Sequence, residues 1–205
     1  MAEVAEREGF EPPVELPPRR ISSAVHSTTL PPLRRKSTFD KRWSGRHGRA
    51  YGIARGTLQL APPMLFVYGT LRDPELLGAV LGRPATGLAA AAPGFATVNY
   101  PGRIYPALVR RPGTATAGLV LTDLTPFELD LLDAFEGAEY RRAIVPVMID
   151  EELHEAFAYL PAVPVSGQPD WSLEAWQATH KPRVLAGEKA SADELRLKLI
   201  AIRPN

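Results

Sequence analysis

The sequence predicts an α+β domain built on a mainly antiparallel, barrel-like sheet. Three observations carry that expectation. Strand-like segments outnumber helical ones after Met64. Two of the later strands, Tyr140 to Ile149 and His154 to Leu160, are separated only by the acidic turn Asp150-Glu151-Glu152, which makes a hairpin. Two helices with start signals, at Asp73-Pro74-Glu75 and at Thr125-Pro126-Phe127-Glu128, lie among those strands.

The first strand is Leu65 to Tyr68, four residues of strong strand preference ending at Gly69. Asp73 then offers an N-cap, Pro74 the first helical position and Glu75 a first-turn carboxylate. Leu76, Leu77, Val80 and Leu81 follow at helical spacing, and Gly82 is placed to stop the helix. Residues 87–98 are small and apolar around Pro93-Gly94, which reads as a strand, a bend and a second strand. Tyr100 to Arg103 reads as a loop. Ile104 to Val109 is strand-like, with Pro106 pointing to an edge or a bulge. Arg111-Pro112-Gly113 reads as a turn, and Ala117 to Leu124 as the next strand.

Thr125-Pro126-Phe127-Glu128 is a capping box with proline at the first helical position. Phe127, Leu131, Leu132 and Phe135 form its apolar stripe, and Gly137 ends it. In the hairpin, Val145, Val147 and Ile149 share one face, and Phe157 and Tyr159 alternate with Ala156 and Ala158. Ser172 caps a short helix near Trp171 and Trp176, and Asp193 to Ile200 reads as a last helix.

Composition narrows the function. The chain has 205 residues, 45% of them hydrophobic, enough for a core. It has no apolar run of about 18 residues, no signal-like leader and no cysteine, which points to a cytoplasmic protein without disulfides or thiolate metal sites. The net charge of +1 hides an asymmetry: residues 1–63 hold 11 basic and 6 acidic side chains, residues 64–205 hold 13 and 17. An acidic globular part is a poor match for nucleic acid.

Residues 1–63 read as a disordered basic and Pro-rich tail, with paired prolines and no sustained period. Their alternative reading is an over-extended reading frame with Met64 as the true start. Gly9-Phe10-Glu11 back-translates to codons resembling the T-arm of a transfer RNA gene. The domain itself is expected over residues 64–205.

Two stretches could carry chemistry. Leu65 to Leu71 runs a buried strand through Gly69 into a helix start, turning backbone N–H groups outward toward an anion or a polarised carbonyl. Gly69 lacks a Cβ, so a ligand could approach the backbone there. Glu136, in Leu132-Asp133-Ala134-Phe135-Glu136-Gly137, ends the capped helix. The macrodipole disfavours a carboxylate there and Phe135 adds desolvation, so its pKa is expected to rise toward that of a general base. The same position also suits an ordinary solvated glutamate. The four histidines show no metal-ligand spacing, and the acidic turn reads as solvated surface. No nucleophile elbow, phosphate loop or dinucleotide fingerprint is present.

These pieces resemble the γ-glutamylcyclotransferase-like family in its short bacterial and plant form. The matching residues are Phe66-Val67-Tyr68-Gly69-Thr70-Leu71, Tyr105-Pro106-Ala107-Leu108-Val109 with Pro112-Gly113, Gly118, and above all Leu132 to Gly137 with Tyr140 and Arg141. The Ala-rich stretch of residues 87–98 departs from the pattern. The resemblance implies a small mixed barrel with flanking helices. It also implies an enzyme acting on small-molecule γ-glutamyl amines or amides, without cofactor or metal. Carried onto this chain, it makes Tyr68, Gly69, Thr70 and Leu71 the substrate loop and Glu136 the catalytic acid/base. The products would be 5-oxoproline and a free amine. Two rival readings remain: a non-catalytic, small-ligand-binding member of the same fold, and an interaction protein driven by its basic tail.

Overall fold

The computed structural model describes residues 64–202. The expectation of a disordered tail over residues 1–63 lies outside the described residues. Five strands and four helices follow in the order β1 (Leu65–Val67), α1 (Pro74–Leu81), β2 (Leu88–Asn99), β3 (Pro106–Leu121), α2 (Pro126–Glu136), β4 (Tyr140–Ile149), β5 (Glu152–Pro161), α3 (Leu173–Thr179) and α4 (Lys181–Ile202). The sheet order is β1-β3-β2-β4-β5, and it closes into a barrel. Closure comes from the one parallel pairing, β1 with β5 at Leu65 and Phe157; the other neighbours are antiparallel.

Side chains alternate across β1 and thereby separate two cores. Phe66 and Tyr68 join Phe95, Leu108, Val120, Val145, Val147, Ala156 and Ala158, drawn from all five strands. Leu65 and Val67 face the other way. They pack with Leu76, Leu77 and Val80 of α1, Leu132 and Phe135 of α2, and Trp176 of α3. Gly118 of β3 has to be glycine: a Cβ there would lie 2.5 Å from both the Phe66 ring and the Val67 carbonyl oxygen.

Both helix starts form as the sequence expects. The Asp73 carboxylate accepts from the N–H groups of Glu75 and Leu76, and Gly82 ends α1 in the left-handed region at φ 75°. Thr125 and Glu128 complete the reciprocal capping box of α2, and Gly137 ends it. Ser172 caps α3.

Three expectations are corrected. Residues 88–99 are one strand with an irregularity between Pro93 and Phe95, not two strands. Pro112-Gly113 does not turn the chain, because β3 runs unbroken through it. Arg110 pairs with Phe95 and Ala115 with Pro93, so residues 111–114 bulge opposite Gly94. The Thr114 hydroxyl clasps that bulge, at 2.9 Å from the Phe95 carbonyl and 2.8 Å from that of Arg111. The last helix starts at Lys181 rather than Asp193. Among the described residues no helix is long and apolar enough to cross a membrane.

Candidate active site

The loop after β1 is a single 3-10 turn, Thr70–Arg72, entered through Gly69. Its bonds run from Arg72 N–H to the Gly69 carbonyl (3.0 Å) and from Asp73 N–H to that of Thr70 (2.9 Å). The N–H groups of Thr70 and Leu71 therefore take no part in closing the turn. The Leu71 side chain is 4% exposed and belongs to the helix-side core, so only its backbone can serve a ligand. Thr70 is buried beside it. Gly69 is explained by a neighbour. A Cβ would meet the ring of Pro106 at 2.5 Å, so the glycine lets the first residue of β3 press against the turn. The sequence suggests ligand access as the reason for Gly69; the structure supplies Pro106 packing.

Glu136 is the last residue of α2 and is half-buried. Its charge acts on the phenols of Tyr68 and Tyr159, which places the loop and the helix end in one neighbourhood. A chain of aromatic contacts joins them. The Tyr68 hydroxyl donates to the Tyr159 carbonyl at 2.5 Å. The Tyr159 hydroxyl donates to Asp133 Oδ1 at 2.7 Å, and Arg142 pairs with Asp133 Oδ2 at 3.3 Å. The Tyr140 hydroxyl donates to the Pro106 carbonyl at 2.8 Å, and its ring meets Tyr100 edge-on at 5.7 Å between centroids. Glu136, Tyr68, Tyr159, Tyr140, Pro106 and Gly69 thus form one connected set drawn from α2, three of the strands and the segment from β1 into the turn.

The phenols stay protonated donors in this set. Burial pushes Tyr68 well above the ordinary tyrosine value, and the nearby Tyr140 and the charge of Glu136 add to it. Burial also raises Tyr159, helped by its bond to Asp133 and by Glu136. Each phenol has one proton, and Tyr68 and Tyr159 give theirs to the Tyr159 carbonyl and to Asp133, so they fix the frame of the site.

Behind the turn, Asp73 is fully buried. Beyond the two amides of α1 it accepts from Gln177 Nε2 and Lys181 Nζ, both at 2.7 Å. Burial alone would raise this carboxyl; the bonds from Lys181, Gln177 and Leu76 N–H outweigh it and hold it below its ordinary value. On the β2–β3 side an open groove of about 300 Å³ starts at Tyr68 and Arg72 and runs past Thr97, Arg111, Trp171 and Glu174.

Of the residues named from the sequence, Tyr68, Gly69, Thr70 and Leu71 follow one another into the turn, Tyr68 lines the groove, and Glu136 lies within electrostatic reach of Tyr68. Asp133 and Tyr159 join them as participants that the sequence reading does not single out. Asp133 lies one turn before Glu136 on α2, a spacing that places two side chains on the same helix face, so a signal for it exists. Pro106 and Asp73 act through contacts far along the chain, which spacing does not reveal. The acidic turn Asp150–Glu152 is exposed, and among the described residues no three His, Asp or Glu side chains gather where a metal could be held.

Known proteins match the same stretch of chain. The family model described as "Gamma-glutamyl cyclotransferase, AIG2-like" matches residues 65–178. AIG2-like protein A of Arabidopsis thaliana is 33% identical over 59% of this chain and 76% of its own length. AIG2-like protein D of the same plant is 32% identical over 65% and 91%. A solution structure of an Arabidopsis thaliana protein is 28% identical, covers 72% of this chain and 97% of its own, and superposes with a TM-score of 0.49. A structure titled "Gamma-glutamyl cyclotransferase" is 20% identical over 69% and 88%, with a TM-score of 0.47.

Proposed function

Because the chain belongs to the Gamma-glutamyl cyclotransferase, AIG2-like family, we propose that it cyclises a γ-glutamyl group to 5-oxoproline and releases an amine or amino acid, with Glu136 as the general acid/base. What supports this reading is the hydrogen-bonded path from Tyr68 through Tyr159 to Asp133, one turn before Glu136 on α2, with the charge of Glu136 acting on both phenols. That path favours one site shared by the loop and the end of α2.

The chemistry follows from the substrate's own geometry. A γ-glutamyl group can fold so that its neutral α-amine reaches its γ-carbonyl carbon. The tether replaces a bimolecular encounter, so holding the folded form supplies much of the rate. The Glu136 carboxylate takes a proton from the attacking nitrogen as the new C–N bond forms. Negative charge develops on the γ-carbonyl oxygen, and backbone N–H groups at Thr70 and Leu71 would receive it or the substrate carboxylate. As the old C–N bond breaks, the Glu136 carboxyl returns that proton to the leaving nitrogen. The hydroxyls of Tyr68, Tyr159 and Tyr140, already bonded to the Tyr159 carbonyl, Asp133 and the Pro106 carbonyl, would brace the walls around the substrate. Each step uses a side chain or backbone group of this chain.

The test is release of 5-oxoproline from a panel of γ-glutamyl amines and γ-glutamyl dipeptides incubated with the purified protein. Turnover of at least one member, lost in Glu136→Gln, is the expected result. Tight binding of panel members or of 5-oxoproline with no release would favour the non-catalytic, ligand-binding reading.

A further inference from the structure

α4 lies past the segment matched to the family model, and its inward face packs Val184, Leu185, Ala192 and Leu195 on the core while also carrying polar side chains there. Lys181 sits at its start and Glu188 two turns on, followed two further turns along by Arg196, a spacing that keeps all three on one face. Each is spent on a specific partner. Lys181 Nζ reaches the fully buried Asp73 carboxylate at 2.7 Å and Glu75 at 3.2 Å. Glu188, 8% exposed, accepts from the Tyr105 hydroxyl. Arg196 donates to the carbonyls of Ala79 and Val80, both at 2.8 Å, in the last turn of α1.

The partners are not scattered. Asp73 closes the 3-10 turn by donating its N–H to the Thr70 carbonyl. Tyr105 precedes Pro106, whose ring packs on Gly69 and whose carbonyl accepts from Tyr140. The turn and the segment pressed against it are therefore both tied to one helix. Charged groups are rarely buried without pairing, and a buried pair of this kind adds little net stability over an apolar replacement. What such bonds do supply is a fixed geometry.

Resting on the reading of the loop as the substrate cradle, we propose that α4 is a clamp for that cradle, with Lys181 and Glu188 as positioning residues that set the Thr70–Leu71 amides against the Tyr105–Pro106 wall. Neither residue touches the reacting atoms. They act through Asp73 and Tyr105.

The experiment compares Lys181→Met and Glu188→Leu with the conservative Lys181→Arg and Glu188→Gln in the full chain. Amide hydrogen exchange is read at residues 70–73 and, as an internal reference, in the β4–β5 hairpin; steady-state kinetics are read on whichever γ-glutamyl compound the wild type turns over. The clamp predicts exchange at residues 70–73 faster by about tenfold in the Met and Leu variants with the hairpin unchanged. It predicts KM raised about five- to twentyfold with kcat within about threefold, because ground-state placement is what is lost. The conservative variants should restore both. Equal acceleration in the turn and the hairpin, or no change in the turn, would overturn the proposal. The exchange arm needs no turnover, so a wild type inactive on every substrate would count against the cyclotransferase reading while the clamp is still decided.

Discussion

Two carboxylates at opposite helix ends show how this domain separates architecture from chemistry. Asp73 begins α1 and Glu136 ends α2. At Asp73 the positive end of the helix favours the charge, and two amides, Gln177 and Lys181 converge on it in full burial. At Glu136 the negative end of the helix opposes the charge. Its surroundings include the phenols of Tyr68 and Tyr159 and, one turn back, the carboxylate of Asp133. A carboxylate matched by donors on several sides holds geometry and is costly to protonate. One placed where the backbone dipole opposes its charge is suited to exchanging a proton. The difference places Asp73 in the frame of the turn and is the setting that the proposed role of Glu136 calls for.

The largest expected effect breaks the comparison at the reacting end. Glu136→Gln keeps shape and hydrogen bonding but cannot accept a proton, so 5-oxoproline release should fall by about 10²–10⁴-fold. The melting temperature should hold within a few degrees. Glu139, three residues on, looks from the sequence like a bland surface control. The structure removes it from that role: its carboxylate accepts from Arg103 Nε at 2.8 Å and pairs with that guanidinium again, and its charge reaches Tyr100. The exposed Glu155 of β5 is the better control. Rate losses of equal size in Glu136→Gln and Glu155→Gln would remove the special role of the helix end.

Parts of this contrast are legible in the sequence itself. Caps are local, so Asp73-Pro74-Glu75 and Thr125-Pro126-Phe127-Glu128 announce their helices within four residues, and both form. Glu136 stands out because a short motif contains it. Long-range facing does not show in such patterns. Pro93-Gly94 and Pro112-Gly113 each read as a break, but they fall at the same place in the β2–β3 pairing and together make one bulge in a continuous hairpin. α4 reads as a shorter helix than it is because Pro182 and Gly187 look like interruptions and because Lys181, Glu188 and Arg196 break up the apolar stripe of Val184, Leu185, Ala192 and Leu195. Pro182 in fact occupies the first helical turn, where proline costs no intrahelical bond. The neighbour of Gly69 is hidden for the same reason: Pro106 approaches it from the far end of a loop and a strand.

An intermediate effect separates two glycines, one of the frame and one of the site. Gly118→Ala would drive a Cβ to 2.5 Å from the Val67 carbonyl oxygen, a backbone atom that cannot step aside. Overpacking of this kind costs about 1–3 kcal/mol, and the expected result is a lower melting temperature with normal activity per folded molecule. Gly69→Ala meets the Pro106 ring at 2.5 Å instead. Relief there has to move the turn or the Tyr105–Pro106 segment, so KM should rise alongside the loss of stability. Thermal melts combined with activity normalised to folded fraction distinguish the two. Matching KM values in both variants would show that the turn does not hold substrate.

The smallest effect tests Asp73 through pH. Asn is as good an N-cap as Asp, so Asp73→Asn leaves the Oδ1 bonds from Glu75 and Leu76 N–H in place, but it puts an NH2 donor where Oδ2 accepts from Gln177 and Lys181. At neutral pH the loss should be on the order of 1 kcal/mol, because the Gln177 amide can turn its oxygen to the new donor and the partly exposed Lys181 can turn to solvent. The folded-state carboxyl titrates below its ordinary value near 3.8, held down by Lys181, Gln177 and Leu76 N–H against the effect of burial. A depressed folded value means that the unfolded chain binds the extra proton first. The stabilisation from Asp73 is therefore fully present above the ordinary value and is lost as pH falls through the folded one. Glu128 is also held low, against its burial, by Arg83 and Thr125, and it cancels in the difference; Glu75 is held low by Lys189 and in part by the same Lys181, so the gap reports Asp73 and Glu75 together. The stability gap between wild type and Asp73→Asn should be constant from neutral pH down to about 5 and then narrow as pH falls below the ordinary carboxyl value, where the unfolded chain takes up a proton that the folded carboxyl resists. Denaturant melts across that range read the gap directly. A gap that stayed constant to pH 2 would mean that Asp73 supplies shape rather than charge to the turn, and the contrast with Glu136 would then rest on Glu136 alone.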